Sequence, residues 1–150
     1  MLKLSRMTDY AVVALSALWR AAPQQKTAAQ LAAETGLPEP SLAKILKTLA
    51  RAGIVSSRRG VQGGYFLVRE TGRSLSAKMI IEAMEGSIAL TACIETPVKT
   101  ECAIAACCPV QGRWSAVNAA LCDVLDRVML ADMCTADVTE ITERRAAHGG

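Results

Sequence analysis

Aromatic side chains are scarce in this chain of 150 residues: two Trp, two Tyr and one Phe, 3% of the total. With so few large rings the core must be built from Ala, Leu, Val and Ile, which suits closely packed helices. Histidine is scarcer, with only His148 near the C-terminal end. A cysteine nucleophile would therefore lack an imidazole base, which argues against a thiol enzyme using Cys102 or Cys107. Long apolar runs are also missing. The longest stretch without a charge, Cys102 to Gly112, falls far short of the roughly 20 apolar residues of a membrane span. The start, MLKLSRMTDY, carries Asp9 and has no uninterrupted apolar stretch ending in a small-residue cleavage site, so it does not read as a secretory signal. A cytoplasmic location with no membrane partner is expected, and there clustered cysteines more often mean metal or redox chemistry than disulfides.

Four of the six cysteines are present between residues 91 and 112, in TACIETPVKTECAIAACCPVQG. This stretch has neither helical nor alternating periodicity, and Pro97, Pro109 and Gly112 punctuate it, so it reads as a loop. Loops beyond about 12–15 residues are uncommon in compact domains unless functional or disordered. Thiolates holding a metal or a cluster would supply the order.

Apolar residues make up 51% and charged residues 21%, which excludes global disorder. The net charge of +3 is unevenly spread. Residues 1–73 hold eleven Lys or Arg against four acids, a net +7, and residues 74–150 hold six against ten, a net −4. A basic half joined to an acidic half implies that the first half meets a polyanion.

Within that basic half, Tyr10, Val13, Ala14, Ala17, Leu18 and Ala21 recur at helical steps, predicting an amphipathic helix over 5–22 that Ser5 or Thr8 can cap. Thr27 and Gln30 have the spacing of a capping box opening a short helix with Leu31 and Ala32 inward, which ends at Gly36. A third helix starts around Pro38 to Ser41, buries Leu42, Ile45, Leu46 and Leu49, and ends at Gly53. Ile54-Val55 and Tyr65 to Val68 are β-prone runs joined by SSRRGVQGG, predicting a hairpin. Short helix, glycine turn, longer helix with a basic outer face, then a hairpin is the order of a winged helix-turn-helix. Ser41, Lys44, Lys47, Arg58, Arg59 and Gln62 are the candidate DNA contacts, with double-stranded operator DNA as the partner.

In the second half, Leu75, Met79, Ile80, Ala83 and Met84 predict a helix over 74–85, stopped by Gly86. After the cysteines, Trp114, Val117, Leu121, Val124, Leu125, Val128 and Met129 predict one helix over 113–133, about 30 Å long at roughly 1.5 Å per residue. Its stripe is expected to pair with a second copy in a homodimer, since soluble oligomers are mostly two-fold. Packing onto residues 74–90 of the same chain is the plain alternative.

Three stretches carry a family resemblance: residues 4–11 (LSRMTDYA); Leu46 to Val55 leading into SSRRGVQGGY; and the cysteine loop followed by Trp114. On these the chain resembles the IscR/NsrR-type iron-sulfur-sensing winged-helix repressors, within them the regulators of the Suf cluster-assembly operon. The resemblance implies a homodimer whose loop cysteines Cys93, Cys102 and Cys108 hold an iron-sulfur cluster, [2Fe-2S] or [4Fe-4S], with Cys107 as an alternative to Cys108. It also implies a fourth, non-cysteine ligand. Some members offer a histidine three residues before the tryptophan, where this chain has Gln111. That shifts the fourth ligand to Asp9, from the partner subunit. The plain alternative is that Asp9 is a first-turn acid favoured by the helix dipole. Ala43 stands where some relatives carry a glutamate in the reading helix. Cys122 and Cys134 read as ordinary core thiols.

The expected architecture is thus mainly α. It comprises a winged helix-turn-helix with a two-stranded wing (1–73), a connecting helix and cysteine-rich cluster-binding loop (74–112), a long dimerisation helix (113–134) and a flexible tail (135–150). The expected function is repression of iron-sulfur cluster assembly genes. The alternative is a winged-helix regulator sensing zinc or thiol redox state through the same cysteines.

Overall fold

The first helix, α1 (Arg6–Ala21), is the element the others pack against. The computed structural model describes residues 3–60, 63–95, 107–110 and 112–134. Ser5 starts α1, with an extended backbone and an Oγ that accepts from the Thr8 amide at 3.2 Å. The buried face is Thr8, Ala11, Ala14, Leu15, Ala17 and Leu18. It is rotated from the face that periodicity predicts, since Val13 is 37% exposed while Ala11 and Leu15 are fully enclosed. Small alanines let α1 be approached from several sides, and the arc covered by its neighbours runs through Leu15 rather than Val13.

The helix-turn-helix follows as the sequence implies. The Thr27 hydroxyl accepts from Gln30 N–H and the Gln30 side chain accepts from Thr27 N–H, the reciprocal capping box that opens α2 (Ala28–Thr35). Gly36 ends it at φ 72°, a left-handed cap that costs a glycine nothing. In α3 (Glu39–Arg51) the four predicted residues Leu42, Ile45, Leu46 and Leu49 are all fully buried.

The wing is the antiparallel pair β1 (Ser56–Arg58) and β2 (Gly64–Phe66), with Ser56 opposite Phe66 and Arg58 opposite Gly64. Ile54 and Val55, predicted as strand, instead plug the base of the wing into the core. A hydrophobic pair between helix and wing is worth more buried than paired. Lys26 joins β2 from the other side, exchanging two backbone hydrogen bonds of 2.8 Å with Tyr65. Close approach explains the paired glycines: a Cβ on Gly63 would lie 2.5 Å from the Arg58 carbonyl oxygen, and one on Gly64 would lie 2.9 Å from the Lys26 carbonyl. Gly63→Ala is therefore expected to cost about 1–3 kcal/mol, the usual range for forced overpacking, read as a lowered thermal midpoint.

Four features of the remainder depart from expectation. A short helix, α4 (Arg69–Ser74), follows the wing, and Gly72 in it lies against the Trp19 indole so closely that a Cβ would sit 2.2 Å from Cδ1. The next helix, α5 (Ala77–Glu85), starts later than predicted because Ser76 caps it; it buries Ile80 and Ile81 and leaves Met79 46% exposed. A four-residue turn, α6 (Ala92–Glu95), carries Cys93.

The fourth departure is the last helix, which is two: α7 (Trp114–Arg127) and α8 (Leu130–Cys134). Val128 takes an extended backbone so that its carbonyl accepts from Ala77 N–H, while Leu130 N–H donates to the Leu75 carbonyl, each at 2.8 Å. The buried Ser76 hydroxyl donates to Asp126 Oδ1 at 2.8 Å beside this bridge. The bridge breaks the helix and returns α8 to α1 and α4, where Leu130 is fully buried. The straight part is accordingly about 21 Å at 1.5 Å per residue. Among the described residues no helix is long and apolar enough to cross a membrane. Residues 135–150, expected as a tail, lie outside the described residues.

Candidate nucleic-acid interface and cysteine site

On α3 the spacing that buries Leu42, Ile45, Leu46 and Leu49 turns Lys44 and Lys47 to solvent, and Arg51 follows one turn later. Ser41 is half-buried at the same end as Pro40. The wing places Arg58 and Arg59 in solvent too, with the Arg58 guanidinium over the Phe66 ring, 5.3 Å from its centroid. That stacking orients a planar cation. Gln62 lies outside the described residues. The predicted contacts that are described therefore fall on two adjoining elements, a cationic helix face and a cationic hairpin. Lys26, by contrast, is spent on an ion pair with Glu34.

The cysteines are distributed over the other half. Cys93 is exposed on α6, its sulfur hydrogen-bonded with the Thr91 hydroxyl at 3.1 Å. Cys107 is exposed and Cys108 half-buried. Cys102 lies outside the described residues, as does Gln111. Among the described residues no three His, Cys, Asp or Glu side chains gather into a metal-sized group. Cys122 and Cys134 are half-buried; Cys134 Sγ meets Ser16 Oγ at 3.1 Å on the core side of α8.

Asp9 is exposed in the first turn of α1 and lines an open cleft of about 760 Å³ with Lys3, Leu4, Ser5, Arg6, Thr8, Val12 and Met133. Its carboxylate has no ion-pair partner among the described residues.

Two residues outside the predicted set organise this region. Asn118, in the middle of α7, donates to the Ile88 carbonyl and accepts from Leu90 N–H, both at 3.0 Å, pinning the strand of chain that leads to Cys93. Glu85, the last residue of α5, accepts from Ser5 N–H at 2.8 Å and from the Thr8 hydroxyl at 2.5 Å. The Thr8 hydroxyl bond, then the Ser5 backbone bond, holds the Glu85 carboxyl below its ordinary value of 4.5. A lowered carboxylate stabilises the fold fully above the unfolded value and ceases to as pH falls through the folded one. The melting temperature of Glu85→Gln is thus expected below that of the parent at neutral pH, with the gap closing on acidification below about pH 4.5.

With this geometry in place, the sequence model of Rrf2, an iron-dependent transcriptional regulator, matches residues 4–136. The chain belongs to the Rrf2 family. A curated Rrf2-like helix-turn-helix regulator of Rhodobacter capsulatus is 30% identical over 120 residues, covering 78% of this chain and 79% of that protein. Among solved structures, CymR, the global cysteine regulator of B. subtilis, superposes with a TM-score of 0.64 at 27% identity, over 89% of this chain and 97% of that one. IscR of T. potens superposes with a TM-score of 0.60 at 29% identity, over 99% and 93%.

Rrf2 membership makes the chain a DNA-binding transcriptional regulator of IscR-like type rather than an enzyme. The Rrf2 match extends through α8, so the bridge at Val128 belongs to the family-sized unit and not to an appendage. Asn118 could have drawn notice in the sequence, because asparagine is a poor helix-interior residue unless its amide has a partner. Glu85 carried no such signal: its partners are 77 and 80 residues away.

Proposed function

We propose that this Rrf2-family protein is a homodimeric repressor of iron-sulfur cluster assembly genes, whose grip on operator DNA depends on an iron-sulfur cluster. In this reading Cys93, Cys102 and Cys108 hold the cluster, with Cys107 as the alternative third thiol and Asp9 of the partner subunit as fourth ligand. The donor set fits in kind: soft thiolates suit iron-sulfur clusters, and a carboxylate is a more exchangeable ligand to iron. The observation that carries the reading is the solvent access of the Cys93 and Cys107 side chains in the cysteine-rich segment. A bound cluster would supply a redox-active, exchangeable link between that segment and the partner's first helix. Ser41, Lys44, Lys47, Arg58, Arg59 and Gln62 contact the duplex, with phosphate contacts dominating affinity.

The test is anaerobic purification followed by visible absorption and by iron and acid-labile sulfide analysis. Binding of the cluster-loaded and cluster-free forms to a duplex selected from a random pool then follows. Sulfide with iron, and affinities differing about 5- to 150-fold as a 1–3 kcal/mol coupling implies, support the reading. Zinc without sulfide, or a difference produced only by thiol oxidation, would replace it with a zinc or thiol switch through the same cysteines.

A further inference from the structure

Glu85 stands where the two halves of the chain meet. It closes α5, and the nine residues after it, Gly86 to Ile94, lead to and include Cys93. That segment is held at its middle by Asn118 of α7 through Ile88 and Leu90. At its root, one carboxylate oxygen of Glu85 takes both the Ser5 amide hydrogen and the Thr8 hydroxyl hydrogen. Ser5 is the N-cap of α1, and Thr8 is one of only two buried polar residues among those described. Helix α1 packs directly on α2 and α3. Its far end leads into Lys26, which pairs with Tyr65 in the wing.

Among the described side-chain hydrogen bonds no other joins the end of α5 to the start of α1. The Ser5 and Thr8 hydroxyls bond each other, and the Ser5 amide and Thr8 hydroxyl turn to Glu85, while the Ser5 carbonyl accepts from Thr8 and Asp9 N–H in the first turn of α1. A negative charge at the N-terminus of α1 is also the favourable sign for the helix dipole. A shift of residues 86–94 therefore acts on α1 through a charged, two-pronged contact, and α1 carries the reading helix and wing on its flanks.

We infer that Glu85 is the positioning residue that couples the cysteine-bearing segment to the DNA-reading head. The coupling to a cluster rests on the function proposed above; the mechanical link itself does not. Reciprocity makes it testable without any cofactor, because a coupled site must respond to DNA as strongly as DNA binding responds to it.

The experiment is hydrogen exchange on the cluster-free protein with and without a duplex selected by the wild-type chain. The comparison set is wild type, Glu85→Gln, which keeps an acceptor oxygen, and Glu85→Ala, which keeps none. DNA is expected to slow amide exchange at residues 86–94 in wild type and in Glu85→Gln, and to leave it unchanged in Glu85→Ala, with all three still melting cooperatively. A DNA response in Glu85→Ala equal to that of wild type, or none in wild type, overturns the inference. If a variant fails to melt cooperatively, Thr8→Val, which removes one prong, takes its place and is expected to weaken the response; an undiminished response would again overturn it. Cluster-loaded protein then separates the two ideas. A wild-type difference between loaded and free forms that Glu85→Ala abolishes, at unchanged iron and sulfide content, supports both. A difference that Glu85→Ala retains removes Glu85 from the coupling and leaves the cluster reading intact. No difference in wild type removes the cluster reading alone.

Discussion

A chain carrying Val124→Asp is expected to sediment as a monomer and to bind operator DNA at least two orders of magnitude more weakly. Along α7, Trp114, Val117 and Val124 are 44%, 50% and 44% exposed, and no residue of this helix is fully buried. They share a stripe at steps of three and seven, while Leu121, Leu125 and Val128, half-buried, mark the border where α7 rests on α5. The intrachain alternative thus accounts for one side of the stripe. One flank packs within the chain, and the other faces outward as a row of large apolar side chains of the kind that marks an interaction surface. A two-fold pairing would bury that row twice, so one substitution puts two carboxylates into the same interface. Burying an unpaired carboxylate costs several kcal/mol, and at 1.4 kcal/mol per decade the dimer constant moves by more than about a hundredfold. Two heads on one dimer address two half-sites, so operator affinity falls with it. The melting behaviour of the monomer stays near that of the parent, because Val124 already faces solvent in a single chain. A dimer that survives Val124→Asp, with Asp123→Asn as a neutral comparison, would move the pairing surface elsewhere.

How much of this was legible beforehand divides along the range of the interactions involved. The capping box at Thr27 and Gln30, the glycine at 36 and the leucine-isoleucine stripe of α3 are set by neighbours within four residues, and each appears where the spacing puts it. The wing was legible as a hairpin but not in register, because Ile54 and Val55 are drawn inward by a core that the local pattern does not reveal. The single helix expected over 113–133 failed for the same reason. Nothing near Val128 breaks a helix; the Leu75–Ala77 backbone, some fifty residues earlier, offers it hydrogen bonds that win. Of the candidate site, the cationic residues could be named from charge and phase alone. The thiols could be named from composition, but spacing alone does not say which of them converge, and among the described residues they do not gather into a metal-sized group. Glu85 and Asn118 connect elements far apart in sequence, so no window of sequence contains both ends of either contact.

The double substitution Lys44→Ala, Lys47→Ala is expected to weaken operator binding by about four decades while leaving the fold intact. Both side chains leave α3 on its solvent side, opposite the buried Leu42, Ile45, Leu46 and Leu49, and neither takes part in an ion pair among the described residues. Alanine is the best helix former, so α3 loses nothing locally, and surface changes of this sort shift stability by no more than about 0.5 kcal/mol. On DNA the accounting differs. A hydrogen bond to a charged group contributes about 1.5 kcal/mol or more net, and a dimer loses four of them, which at 1.4 kcal/mol per decade gives the stated loss. Salt provides the sharper reading: each phosphate contact contributes about 0.9 to the slope of log affinity against log salt, so the slope should fall by about 4 if all four lysines meet phosphates. A loss equal across sequences, with that change in slope, assigns both lysines to the backbone. A loss confined to one position of the site, with relaxed choice of guanine there, assigns one of them to a base edge. Affinity and slope both unchanged would mean that α3 does not enter the groove, and the wing with Arg58 and Arg59 would have to bear the contact alone.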